Sequence, residues 1–277
     1  MSGVAEGALD QLQSALDKWT EQYGKIFDLL TTSPEDFQNG VIWEIVTNIV
    51  IILQGIGISL LIIFFFYGLI KSGMDYRDIF KNPKNVAFIF IRIFIAEFFV
   101  INSLDILLYI LRIIQGIMSK IQTTTQSITF TIPENIKTAL EQADWWASVG
   151  AWAASFVGSL IISLLSMIII ILVYGRFFKI FLLSAIAPIP LAGYASETTE
   201  SIGNNFMKSY IGECLRGVVI VIACLIFSAF AVSPASSNAT TAGAMVWDYV
   251  FDVSLQMLIL VIMIKSSDRM VKEFFSL

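Results

Sequence analysis

The sequence predicts an all-α integral membrane protein: about five transmembrane helices, a proline-containing re-entrant or broken helix, and an N-terminal amphipathic helix. Three observations predict it. The 277 residues are 57% hydrophobic, against about 45–50% for soluble domains even with glycine counted. Only 14% are charged, against about 25% ordinarily, too few to cover a water-facing surface. Mean hydropathy is +0.79, and the apolar residues are gathered into runs of membrane-crossing length.

Residues 1–40 form the first region, an extracytoplasmic amphipathic helix. Leu9, Leu12, Leu16, Trp19, Tyr23, Ile26 and Leu30 alternate spacings of three and four, an a/d seam of about three heptads. Such a seam packs on its own chain, lies in the headgroup layer, or pairs with another chain. Ser33-Pro34 ends the helix. The first residues are acidic and lack a basic stretch followed by an apolar core, so they do not read as a signal peptide, and an early span serves as the insertion signal.

Residues 41–277 form the polytopic membrane domain. Its spans are expected at about 41–70, 86–108, 149–174, 210–232 and 244–264. The second is apolar to Leu108 and is expected to run on as helix to Met118. An extracytoplasmic loop over 119–147 holds an alternating piece, Ile128–Ile132, then Pro133 and a short helix to Trp146. The third span carries Gly150, Ala154 and Gly158 every four residues, a small-residue seam that lets helix backbones approach. Gly55 and Ser59 offer a weaker version in the first span. The segment 180–195 is apolar but short, and holds Pro188 and Pro190. Each proline removes a helix donor and disfavours helical geometry in the residue before it. A re-entrant or broken helix buried by protein fits this better than a straight span.

Lysine and arginine collect on the cytoplasmic side. With the N-terminus outside and 180–195 not crossing, the inside receives Lys71, Arg77, Lys81, Lys84, Arg176, Lys179, Lys208, Arg216, Lys265, Arg269 and Lys272. The outside receives only Lys18, Lys25, Lys120 and Lys137. A crossing by 180–195 would put the basic C-terminus outside and the neutral loop 233–243 inside. Trp43, Trp145, Trp146, Trp152 and Trp247 all fall at the outer ends of spans, as an interfacial belt does.

Few charges lie within the apolar runs. Arg92 is near an inner edge and can snorkel. Glu97, Asp105, Arg112 and Gln115 share an arc of about 80° on one helix, and Asp248 and Asp252 share a face of the last span. These six are candidates for pairing between helices or for lining a hydrated path. Glu213 and Arg216, three apart, are placed to pair locally. The sequence has no histidine and no phosphate-binding loop or nucleophile elbow. Cys214 and Cys224 read as buried hydrophobes rather than ligands. The expectation is no enzyme, no cofactor and no metal.

The run Arg176-Phe177-Phe178-Lys179-Ile180-Phe181-Leu182-Leu183-Ser184-Ala185-Ile186-Ala187-Pro188-Ile189-Pro190-Leu191-Ala192 and the later Gly203-Asn204-Asn205-Phe206-Met207-Lys208-Ser209-Tyr210 resemble the signature region of TrbL-type proteins. These are the polytopic membrane subunits of type IV secretion systems, equivalent to the sixth VirB protein. The variety here is similar to that of Gram-positive conjugative elements. The characteristic block is about 170–230, and the N-terminal 40 residues carry none of its motifs. The resemblance implies a channel or scaffold subunit in the cell membrane, N-out and C-in, that helps move DNA with a bound relaxase. It implies other secretion subunits and separate ATPases as partners, beside the bilayer itself, and a homo-oligomer. The acidic N-terminal region would repel phosphates, so it is expected to contact other subunits. The competing readings are a secondary transporter or ion-conducting protein using Glu97, Asp248 or Asp252, and an anchoring factor that conducts nothing. One broken segment without an internal repeat speaks against a transporter.

Overall fold

A computed structural model describes residues 3–71, 83–122, 131–231 and 241–276. The described elements are helices: α1 (Gly3–Thr31), α2 (Val41–Lys71), α3 (Pro83–Ile101), α4 (Ser103–Gln122), α5 (Glu134–Glu141), α6 (Trp145–Ile186), α7 (Pro188–Leu191), α8 (Glu200–Phe230) and α9 (Ala242–Phe275). Short 3-10 turns occupy Phe37–Gly40 and Ala192–Ala195. Arg77, Lys81, the start of the alternating piece 128–132 and most of the loop 233–243 lie outside the described residues.

Among the described residues four helices are long and apolar enough to cross a membrane, at Phe37–Lys71, Trp145–Ile186, Glu200–Phe230 and Ala242–Phe275, and a bent pair makes a fifth if counted as one span. The chain is an all-α, multi-pass membrane protein. The bent pair is Phe90–Ile101 with Ser103–Gln122, turned by 70°. Helix continues past Leu108 to Gln122, and the break in the second span falls earlier, at Asn102. The side-chain amide and backbone N–H of Asn102 both donate to the Phe98 carbonyl, at 2.9 and 3.0 Å. The Ile101 carbonyl, turned out by the bend, accepts from Gln54 Nε2 at 2.7 Å.

The chain divides into two compact units. The first comprises Met1–Thr31, Met118–Gly175 and Val218–Ser267. Here α1 packs on its own chain. Ala5, Ala8, Leu12, Ala15, Leu16, Trp19, Tyr23, Ile26, Phe27 and Leu30 are buried, which is the heptad seam from Leu12 onward with flanking alanines and Phe27, while Leu9 is half-buried and Asp10, Asp17, Glu21 and Asp28 stay exposed. The Tyr23 hydroxyl donates to the Cys224 carbonyl on α8 at 2.8 Å, so the phenol is buried without an orphaned donor. The small-residue seam of α6 meets α9: a Cβ added at Gly158 would lie 2.6 Å from both Val250 methyls. Ala154 is buried and Gly150 is exposed. Trp145, Trp146, Trp152 and Trp247 are all exposed.

The second unit comprises Thr32–Ile117, Arg176–Gly217 and Asp268–Leu277. Gln38, Asn39 and Gly40 take positive φ of 49°, 58° and 80°, a left-handed turn suited to asparagine and glycine, and α2 starts at once afterwards. Phe37 anchors the turn against Phe177 and Phe181, at ring distances of 4.6 and 6.1 Å. From α2 only Val46, Val50, Gly57 and Leu61 are buried. Its remaining apolar residues, Ile51, Ile52, Ile63 and Ile70 among them, face outward, as suits a helix solvated by lipid.

Candidate functional site

The segment 180–195 does not stand as an element apart. Helix α6 runs 42 residues without interruption to Ile186, because nothing from Arg176 to Ile186 disfavours a helix. The interruption comes at Ala187. Pro188 has no N–H for the Ser184 carbonyl, and that carbonyl instead takes the Ala187 N–H at 3.4 Å. Ala187 keeps helical angles, φ −50° and ψ −40°, although the residue before a proline disfavours them. The Leu191 N–H returns to the Ala187 carbonyl at 3.2 Å, and the Ala192 N–H serves the Pro188 and Pro190 carbonyls. The chain then turns extended at Ser196, with φ −143° and ψ 149°.

This broken helix is deeply packed. Ala187, Pro188, Leu191, Ala192, Gly193 and Ala195 are buried. The cradle comes from α2 and α3. A Cβ at Gly57 would stand 2.8 Å from the Pro188 carbonyl oxygen and 3.0 Å from Val100 Cγ1, so only a bare backbone admits the break at that height. One at Gly68 would collide with the Ser196 side chain. The seam expected in α2 was Gly55 with Ser59. Both face outward and Gly55 meets nothing within 4 Å; the close approach is two residues on, where the proline carbonyl projects.

Beyond the prolines, the Thr199 hydroxyl bonds the Gly193 carbonyl at 2.7 Å, and the Tyr194 ring packs on Phe99 at 5.1 Å. Arg92 of α3 closes the turn. Its Nη1 donates to Glu197 Oε1 at 2.9 Å, its Nε to the Tyr194 carbonyl at 3.4 Å, and it pairs with Glu200. Arg92 therefore holds two carboxylates of the segment rather than snorkelling alone. The charge on an apolar run was visible, but its partners lie 105 and 108 residues away.

A second cluster ties α6, α8 and α9. Arg176 is 1% exposed and donates to the Glu213 and Cys214 carbonyls at 3.2 and 3.1 Å. Lys179 pairs with Glu213 at 2.6 Å, and Arg216 with the same carboxylate at 3.1 Å, the local pair expected from spacing. Asp268 takes Lys272 at 2.7 Å, with Arg216 and Lys179 at 3.5 and 3.6 Å.

The polar stripe expected on one straight helix is divided by the bend. Arg112 pairs with Glu35 at 2.6 Å and Gln115 donates to the Thr32 carbonyl at 2.8 Å, so both fasten the turn after α1. Glu97 is half-buried and Asp105 exposed. Asp248 and Asp252 are exposed on α9 in the first unit. Among the described residues none of these four carboxylates forms an ion pair.

Residues 19–188 match the TrbL/VirB6 plasmid conjugal transfer like protein family. The chain belongs to the TrbL/VirB6 family. No curated protein and no solved structure matches it. The match takes in the run from Arg176 to Pro188 and closes there, so Gly203–Tyr210 lies beyond it. It begins within α1, and so includes part of the N-terminal region in which no family motif was expected. TrbL/VirB6 proteins are structural membrane components of secretion systems, and this one is a membrane component of conjugal transfer.

Proposed function

We propose that this TrbL/VirB6 protein is a channel or scaffold subunit of a conjugative type IV secretion system in the cell membrane, helping a DNA–protein substrate across. It works without catalysis of its own, beside separate ATPases and other transfer subunits, as a homo-oligomer. Its N-terminus lies outside and its C-terminus inside, with spans near 41–70, 86–108, 149–174, 210–232 and 244–264, and with the broken helix dipping in without crossing.

The observation that carries this reading is the buried break at Ala187–Pro190, docked on Gly57 and latched by Arg92. Irregular backbone at membrane depth is tolerated where protein covers it or a water-filled cavity adjoins it, and here α2 and α3 cover it. The family match over residues 19–188 ends within the run that contains it.

An in-frame deletion, complemented by the wild-type chain, should abolish conjugal transfer while leaving the relaxase nick intact. Normal transfer by the deletion strain would discard the reading. Crosslinks between transferred strand and this chain would assign a channel; their absence, with transfer still dependent on the chain, would assign a scaffold.

A further inference from the structure

The cluster joining α6, α8 and α9 has more positive charge than its carboxylates neutralise. Lys179, Arg216 and Lys272 come from three different helices and share Glu213 and Asp268. Arg176, just behind, adds another cation and donates to backbone carbonyls. Lys179, Arg216, Lys272 and the two carboxylates do not close on one another: they line a cavity of about 260 Å³ together with Ser209 and Gly212. Glu213 is buried, its side chain 3% exposed, whereas the Lys179 and Lys272 side chains are 42% and 51% exposed. Glu213 thus forms the floor and the ammonium groups reach the mouth. An apolar wall of Leu183 and Val271 completes the lining.

The cavity sits where the apolar runs of the three helices give way to charge: after Tyr174 on α6, before Gly217 on α8 and after Ile264 on α9. In a membrane protein that level is the headgroup layer. Basic pockets between helices at this level hold anionic headgroups, and a phosphodiester offers oxygens to ammonium and hydroxyl donors at once.

We propose that this cavity binds one phosphate group, supplied by the headgroup of an anionic phospholipid, with Lys179, Lys272 and the Ser209 hydroxyl as its donors. The small volume accepts a single phosphate and the apolar wall suits the glycerol end of a lipid; a nucleic-acid strand needs a groove, not a pit between three helices.

The test uses the full chain purified in mild detergent, with native mass spectrometry and thermal unfolding as readouts. The probes are phosphatidylglycerol, phosphatidylcholine, inorganic phosphate and a thymidine oligonucleotide. The wild type should retain phosphatidylglycerol over phosphatidylcholine and be stabilised by it. Lys272→Gln should weaken that retention about five-fold, the effect of one basic residue near an anionic headgroup, as should Lys179→Gln. Arg269→Gln, one residue from Asp268 but outside the cavity, should leave retention unchanged. Lys272 pairs only at an exposed rim, so its variant keeps the fold even if loss of Lys179 does not. Inorganic phosphate binding alone, sensitive to Lys272→Gln, would assign free phosphate as the source. Equal retention of both lipids, indifference to Lys272→Gln, or binding of the oligonucleotide alone would overturn the proposal.

Discussion

Gly57 and Gly55 lie two residues apart on α2 and meet opposite surroundings, which makes them a controlled pair. An alanine at either position gains the helix preference of alanine over glycine, about 1 kcal/mol. At Gly55 nothing else changes, because no atom lies within 4 Å. At Gly57 the new methyl meets the Pro188 carbonyl oxygen at 2.8 Å and Val100 Cγ1 at 3.0 Å. The carbonyl belongs to backbone held from both sides, so the segment must move by several tenths of an ångström. Overpacking of that kind costs about 1–3 kcal/mol. The common preference cancels, and Gly57→Ala should therefore fall below Gly55→Ala by about that amount, or about 2–12 °C in melting temperature for a chain of this size. The assay is thermal unfolding of both variants in the same detergent, alongside transfer frequency in complemented cells. Equal melting temperatures would refute the claim that α2 and the proline segment touch at Gly57.

Gly158→Ala drives a methyl into both Val250 branches and should cost about 1–3 kcal/mol, with Val250→Ala restoring most of it in the double variant, as a thermal double-mutant cycle would read. Arg92→Glu should destabilise the turn after α7, and adding Glu197→Arg and Glu200→Arg should recover protease resistance there; no recovery would mean that Arg92 acts elsewhere. Tyr23→Phe removes the donation to the Cys224 carbonyl and should lower stability by about 0.5–1.5 kcal/mol, read from the same unfolding curves.

The helices of this protein were legible because lipid-solvated segments write their composition plainly. The seam of α1 was equally plain: a three–four spacing states which face is buried, though not what covers it, and α8 supplies the Tyr23 acceptor from 201 residues away. The apolar run gives no sign of the 70° bend at Asn102. Asparagine in an apolar run reads as one polar residue on a helix, and here its side-chain amide joins its own N–H on the carbonyl four residues back. The stripe from Glu97 to Gln115 crosses the 70° bend, so an arc computed on a straight helix does not hold. The site was legible in its prolines and not in its cradle. Gly57 has no small partner four residues away, and what it accommodates is a carbonyl from a distant segment. Spacing rules describe how a helix meets another helix; they are silent on how it meets a broken one.

The prolines themselves pose the sharper question, since the chain around them stays helical. Ala187 holds angles that a following proline disfavours, and the Ser184 carbonyl settles for a 3.4 Å bond. Pro188→Ala would return the missing N–H and lift that restriction, and a proline inside a helix costs about 3 kcal/mol. Packing against Gly57 is made by the backbone oxygen of residue 188, which alanine also carries, so the contact persists. If the prolines serve only the architecture, the variant should lose stability and transfer together. The geometry argues otherwise: Pro188→Ala should unfold at a higher temperature than the wild type while transferring less, because a repaired ladder stiffens a segment whose weak point is at Ala187. A variant both more stable and fully active would show that the break serves neither purpose.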